Sequence, residues 1–165
     1  MAVSSILDCV SEDSISIRPA TQSDQGAITG LIREAGLNPR DLDWRRFMVA
    51  DDGAGLVGCA QVRVHARGSH ELASVAVTSA RRGSGIGGRL VEAILAREPG
   101  DTYLMTRRET ASYFERFGFR RIAPAEAPFD FRRQFRIGQV FTTIISPLAR
   151  RWIRIVPMLR RPERS

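Results

Sequence analysis

Six consecutive residues, Arg82-Gly83-Ser84-Gly85-Ile86-Gly87, have the types and spacing of a phosphate grip. They lie between an apolar, strand-like run, Glu71 to Val77, and a helix-like stripe of Ile86, Leu90, Val91, Ile94 and Leu95. A glycine-rich turn that opens a helix aims several backbone N–H groups at one point, and the helix dipole adds partial positive charge there. The neighbouring residues decide which phosphate carrier fits. A nucleoside triphosphate loop needs a Lys and then a Ser or Thr after its last glycine; here Gly88-Arg89 follows, and the chain contains no lysine. A dinucleotide fingerprint is satisfied in its letters by Gly83-Ser84-Gly85-Ile86-Gly87-Gly88. It also requires a tight strand junction and an acidic residue at the end of the next strand. The turn begins well past Val77, and Asp101 precedes its strand instead of ending it.

The elements that must position this turn follow from periodicity. Ser14 to Arg18 alternates and is closed by Pro19, a short strand. Ser23-Asp24 can cap a helix with Ile28, Leu31, Ile32 and Ala35 on one face, stopped by Gly36. A short helix is expected through Trp44 to Phe47, then a strand from Phe47 to Ala50 and a turn at Asp51-Asp52-Gly53. Leu56 to Val64 is a second strand of this group, with Val62 and Val64 alternating against Gln61 and Arg63. After the turn Arg67-Gly68-Ser69 comes Glu71 to Val77. Three strands joined by short turns pair antiparallel. A helix follows the glycines and ends at Pro99-Gly100. A strand at Thr102–Thr106, a helix at Glu109–Phe117 and a strand from Phe119 complete the outline. The consecutive hairpins argue against an alternating parallel sheet and for an α+β domain with one mixed sheet covered by helices.

Composition narrows the class. At 165 residues with 43% hydrophobic residues, the chain is long enough for one domain with a proper core. Cys9 and Cys59 form no disulfide framework, and with only His65 and His70 no metal-ligand spacing exists, so no metal is expected. Without a signal-like N-terminus or a membrane-length apolar run, the expected location is cytoplasmic. Charge is unevenly placed: residues 1–131 hold 16 Arg against 17 Asp and Glu, whereas residues 132–165 hold nine Arg against one Glu. The basic character therefore belongs to the C-terminal stretch and does not mark the domain as a nucleic-acid binder.

With the turn at Arg82, Gly85 and Gly87, the preceding strand Glu71-Leu72-Ala73-Ser74-Val75-Ala76-Val77 and the downstream Tyr113-Phe114-Glu115-Arg116-Phe117-Gly118-Phe119, the chain resembles the GCN5-related N-acetyltransferases (GNAT) over most of residues 14–123. The resemblance implies a mixed, largely antiparallel twisted sheet of six or seven strands flanked by helices. It divides the chain into a core at 14–123 and a basic, partly amphipathic extension at 124–165. It also implies acetyl-CoA as donor and co-substrate. Its pyrophosphate would lie on the N–H groups of Arg82, Gly83, Ser84, Gly85, Ile86 and Gly87, with Ser84 adding a hydroxyl donor. Two strands of the family splay beside a bulge, so the Val75 N–H would polarise the thioester carbonyl and the Ala76 and Val77 backbone would hold the pantetheine. Glu71 stands where relatives carry a base, and Tyr113 is the candidate acid for the leaving thiolate. Many relatives place that tyrosine one position later, where this chain has Phe114.

Within the family the pattern is loosely nearest the amino-acid-acetylating branch, near N-acetylglutamate synthases, which implies a small amine such as an amino acid as acceptor. A protein lysine or N-terminal acetyltransferase and a non-catalytic acyl-CoA-binding module are the alternatives. An amino-acid carboxylate needs a cation, and Arg40, Arg45, Arg107 and Arg108 are the candidates. Trp44 and Phe47 either wall the acceptor pocket or pack in the core; His65 and His70 are surface residues or proton relays. In the extension, apolar residues from Phe131 to Ile153 fit helical spacing, with Arg150, Arg151 and Arg154 beside Trp152. That stretch either attaches to an anionic membrane or acidic partner, or packs on the domain or across a homodimer.

Overall fold

The computed structural model describes residues 15–133, 135 and 154–162. Seven strands form one open sheet in the order β1-β2-β3-β4-β5-β7-β6. They are β1 (Ser16–Pro19), β2 (Phe47–Asp51), β3 (Leu56–Val64), β4 (His70–Val77), β5 (Thr102–Arg107), β6 (Arg120–Arg121) and β7 (Ile155–Arg160). Every pairing is antiparallel except β4 with β5. The helices are α1 (Gln25–Glu34), α2 (Ile86–Leu95) and the short α3 (Ala111–Glu115). The stretch expected as a helix through Phe47 is a single 3-10 turn, Trp44–Arg46, because Asp43 caps it and Phe47 already belongs to β2.

The helices cover both faces. Under α1, Ile28 and Ile32 pack with Phe47, Val49 and Cys59, all fully buried or nearly so. Under α2, Ile86, Leu90, Val91 and Ile94 pack with Ala60, Leu72 and Leu104. Each such aliphatic side chain stabilises the fold by about 1.5–3 kcal/mol. The approach of α2 is close at Gly58, where a Cβ would sit 3.1 Å from Leu90 and from the Ala76 carbonyl oxygen. Among the described residues no helix is long and apolar enough to cross a membrane.

A core boundary at residue 123 cuts through this sheet. Strand β7 comes from the basic extension and inserts between β5 and β6, with Met158 and Leu159 buried. Phe131 and Phe135 are buried as well, Phe131 in a small cluster with Tyr103, Ile122, Ala127 and Leu159. Pro157 hides this strand from a sequence reading, since proline is rare in central strands. Its carbonyl accepts from the Ile122 N–H, so its backbone polar groups face β6, which is only two residues long. The missing N–H therefore costs no bond to β5. The amphipathic reading of Arg150, Arg151, Trp152 and Ile153 lies outside the described residues.

Candidate active site

The gap that matters opens between β4 and β5. Their parallel pairing runs only from His70↔Thr102 to Leu72↔Leu104. Beyond Leu72, β4 carries a bulge: Gln61 pairs with Ala73 and Cys59 with Ala76, so Ala60 alone opposes Ser74 and Val75. Ser74 has φ 56°, a conformation a non-glycine residue holds only when its surroundings enforce it. Here the buried Gln61 amide donates to the Ser74 hydroxyl at 2.9 Å. A bulge bends and twists its strand, and past it β4 leaves β5 behind.

The free edge of β4 can be read from one hydrogen bond. The Thr78 N–H donates to the Val57 carbonyl on the β3 side. Backbone groups alternate along a strand, so Ala76 also faces β3, while Val75 and Val77 present theirs to the gap. This corrects the expected role of Ala76: its backbone is committed to the partner strand, and Val75 and Val77 are the residues with groups to offer.

The glycine turn closes one end of the gap. Gly83 and Gly85 both have φ 82°, and a Cβ on either would meet open space. Left-handed geometry at the N-cap, Gly85, starts α2 with its first amides pointing outward. Among the described residues, the N–H groups of Gly83, Ser84, Gly85, Ile86 and Gly87 have no backbone acceptor. The Ser84 hydroxyl donates to the Arg81 carbonyl at 2.6 Å and so tightens the turn, an alternative to the direct ligand contact expected of it. Arg82 is exposed and its Nε donates to the Val77 carbonyl at 3.4 Å, at the edge of the gap.

Tyr113 stands on the same rim. Phe114, the next residue, is buried in the core, whereas the Tyr113 hydroxyl reaches the first turn of α2. A Cβ on Gly87 would lie 3.0 Å from that hydroxyl and 3.7 Å from Val77. The guanidinium of Arg116 covers the Tyr113 ring at 4.2 Å from its centroid.

Side chains, not backbone, build the face of the sheet on the α1 side. Glu71 is 3% exposed, yet polar partners flank it: His65 Nε2 is 2.8 Å from Oε2, and the Arg63 guanidinium is 3.6 Å away. His65 packs edge-on against Phe131 with ring centroids 6.0 Å apart. Asp130 fastens that segment to the β3–β4 turn by accepting from the Ser69 hydroxyl and from the backbone N–H groups of Arg67 and Ser69. Burial alone would raise the Asp130 carboxyl; the Ser69 hydroxyl and the backbone donors outweigh it and hold it down to about 2. Cys59, fully buried nearby, has its thiol pushed up to about 12 by burial, which leaves no thiolate for covalent chemistry at neutral pH.

The other predicted residues fall elsewhere. Phe47 is core and Trp44 half-buried packing beside α1. Arg40, Arg45, Arg107 and Arg108 are all exposed, with Arg45 lying over the ring of Trp44. His70 pairs with Glu98, which follows α2. Missed altogether were Gln61 and Arg63, whose signal was the run of polar residues at alternate positions 61, 63 and 65 of β3. Among the described residues no group of three His, Cys, Asp or Glu side chains could hold a metal ion.

Comparison with known proteins fits this architecture. The family profile described as the acetyltransferase (GNAT) domain matches residues 43–121. The chain carries an acetyltransferase domain of the GNAT family. No curated protein matches the sequence. Among solved structures, N-acetylglutamate synthase from Neisseria gonorrhoeae, complexed with coenzyme A and N-acetyl-glutamate, is similar with TM-score 0.72 and 23% identity, over 93% of this chain and 36% of that one. The chain thus spans about a third of the length of the synthase chains it matches. Rv2747 from Mycobacterium tuberculosis, solved in complex with CoA, is similar with TM-score 0.66 and 27% identity over 89% of this chain and 99% of that one. The yncA protein of Salmonella typhimurium, solved with acetyl-CoA, has TM-score 0.63 and 18% identity over 93% of this chain and 97% of its own. The seven-stranded open sheet with its flanking helices is the GNAT acyltransferase fold.

Proposed function

We propose that this chain transfers the acetyl group of acetyl-CoA to a primary amine by direct attack in a ternary complex, with a small molecule such as an amino acid as acceptor. One observation carries the reading: the edge of β4 at Val75 and Val77 is left unpaired beside a turn whose amides lack acceptors. The amides of 83–87 would take the diphosphate, and the β4 edge the pantetheine arm. The Val75 N–H would donate to the thioester oxygen as negative charge develops on it.

Attack needs a neutral amine. Glu71 takes the proton from the ammonium, and the His65 contact at 2.8 Å holds its carboxylate in one orientation. The amine nitrogen bonds to the acetyl carbon, the C–S bond breaks and CoA leaves as thiolate. Tyr113, at the rim between Val77 and Gly87, would return a proton to that sulfur. The buried Cys59 thiol supports direct attack over an acyl-enzyme. The complex of the Neisseria synthase with N-acetyl-glutamate supports an amino-acid acceptor by similarity.

Thiol release from acetyl-CoA, measured with free amino acids, polyamines and lysine peptides in turn, tests this. Release that depends on an added amino acid is the expected result. Preference for lysine peptides would move the assignment to a protein acetyltransferase, and CoA binding without turnover of any amine would make the chain a binding module.

A further inference from the structure

Among the described residues three buried side-chain atoms lack a hydrogen-bond partner: Arg160 Nη1 on β7, and two, from Gln61 and Arg63, that lie together on one strip of the sheet. Arg63 makes no hydrogen bond there. Its Nε is buried without a partner, and its ion-pair contacts, Asp41 at 3.5 Å and Glu71 at 3.6 Å, fall short of hydrogen-bond geometry. A guanidinium carries five N–H donors in a planar fork, and leaving the buried Nε donor unused is costly. Two residues earlier on the same face, Gln61 is fully buried, and its side-chain carbonyl also lacks a donor, although its amide nitrogen is used on Ser74. Glu71 opposes Arg63 across the strand pair, and Ala73 opposes Gln61.

Four residues are thus arranged as a small rectangle on one face. Its sides are about 5 Å across strands and about 7 Å along them. It offers an unused fork of donors at one corner, an unused acceptor at a second and a carboxylate at a third. The fourth corner, Ala73, is small and only half-buried, as is Ser74 beside it. A zwitterion complements this set, since its carboxylate matches the fork and its ammonium matches the two acceptors. A simple amine satisfies the acceptors and leaves the guanidinium unanswered.

We propose that Arg63 holds the carboxylate of an α-amino acid while Gln61 and Glu71 receive its ammonium, so that this strip selects amino acids over amines lacking a carboxylate. This rests on the acetyltransferase reading above and names the acceptor class of that site. Arg63 binds and orients; Glu71 takes the proton. Bidentate carboxylate recognition is what an arginine fork provides and a lysine point charge does not.

The experiment compares each L-amino acid that is turned over with its own decarboxylated amine, for the wild type and for Arg63→Lys and Arg63→Gln. Melting temperature and CoA affinity serve as controls for folding. The wild type is expected to prefer the amino acid by at least about 100-fold in kcat/KM, the scale of a lost buried charge-assisted pair. Arg63→Gln should raise KM for the amino acid by a similar factor, and by far more than for the amine. Arg63→Lys, which keeps the charge beside Glu71, should give an intermediate KM with the fold intact. Equal turnover of amino acid and amine by the wild type, or an equal loss for both in the well-folded Lys variant, overturns the assignment while leaving acetyl transfer standing. Amino-acid binding to the CoA complex, followed by calorimetry, gives a readout independent of turnover; binding unaffected by Arg63→Lys and Arg63→Gln alike would also overturn it.

Discussion

The two sides of this site are made of different material. The proposed donor side is backbone: the amides of 83–87 and the free edge of Val75 and Val77. The proposed acceptor side is side chain: buried Gln61 and Glu71 with half-buried Arg63 and His65 on the α1 face of β3 and β4. Backbone groups are the same in every residue, so the donor side needs only glycines and a strand that ends its pairing. The acceptor side needs particular side chains with the charges balanced, because a buried charge without partners is expensive. One side suits a ligand common to a whole family, the other a ligand chosen by this chain.

The contrast can be broken by experiment, most forcefully on the donor side. Valine at both Gly85 and Gly87 is expected to weaken CoA binding by about 100-fold or more, because the diphosphate loses its close approach to the amides. Calorimetry measures the affinity and circular dichroism checks that the domain still melts cooperatively; unchanged affinity would remove the turn from the site. On the acceptor side, Glu71→Gln should lower kcat by about 10²–10³-fold, in the range of a lost general base. CoA affinity should stay the same, since Glu71 lies off the donor side. A Gln variant with wild-type kcat would place the proton transfer elsewhere.

A smaller effect joins the two sides. Alanine at Gly87 brings a Cβ to 3.0 Å from the Tyr113 hydroxyl. Gly87→Ala should therefore destabilise the domain, and Tyr113→Phe should relieve the strain, with a coupling of about 1 kcal/mol in a double-mutant cycle of denaturant melts. Additive effects would mean that the hydroxyl is free to move aside.

The smallest effect concerns the support under His65. The Asp130 carboxyl titrates at about 2 in the folded chain against an ordinary 3.8. A depressed carboxyl contributes stability above its unfolded value and loses it as pH falls through the folded value, so the window lies between about pH 4 and pH 2. Asp130→Asn should cost about 1 kcal/mol at neutral pH and flatten the acid limb of a stability profile measured by urea melts between pH 5 and 2. An unaltered acid limb would show that the tie to Ser69 is not maintained in solution.

The glycine turn and its flanking elements are legible in the sequence because their signal is local. Glycines in the left-handed region, a helix stripe and an apolar strand lie within a short stretch of chain, and each has a direct backbone meaning. The proposed acceptor side is less legible for a specific reason. In β3 the alternation of Val62 and Val64 against Gln61 and Arg63 marks two faces without saying which is buried. Gln61 is fully buried while Val64 is 50% exposed. Both faces of this strand are covered along much of its length, so alternation still marks two faces but no longer says which is wet. Strand β7 escaped for a related reason, since its partners β5 and β6 are remote in sequence and Pro157 argued against it.

By itself, the order of residues determined the turn that opens α2 and the positions of most strands, because each depends on neighbours along the chain. Only the tertiary structure decided that β7 completes the sheet, that β4 leaves β5 at the Ser74 bulge, and that Arg63, Glu71 and His65 share one buried strip. Those outcomes depend on which face is covered and which strand lies alongside. Both are set by packing between segments far apart in the chain.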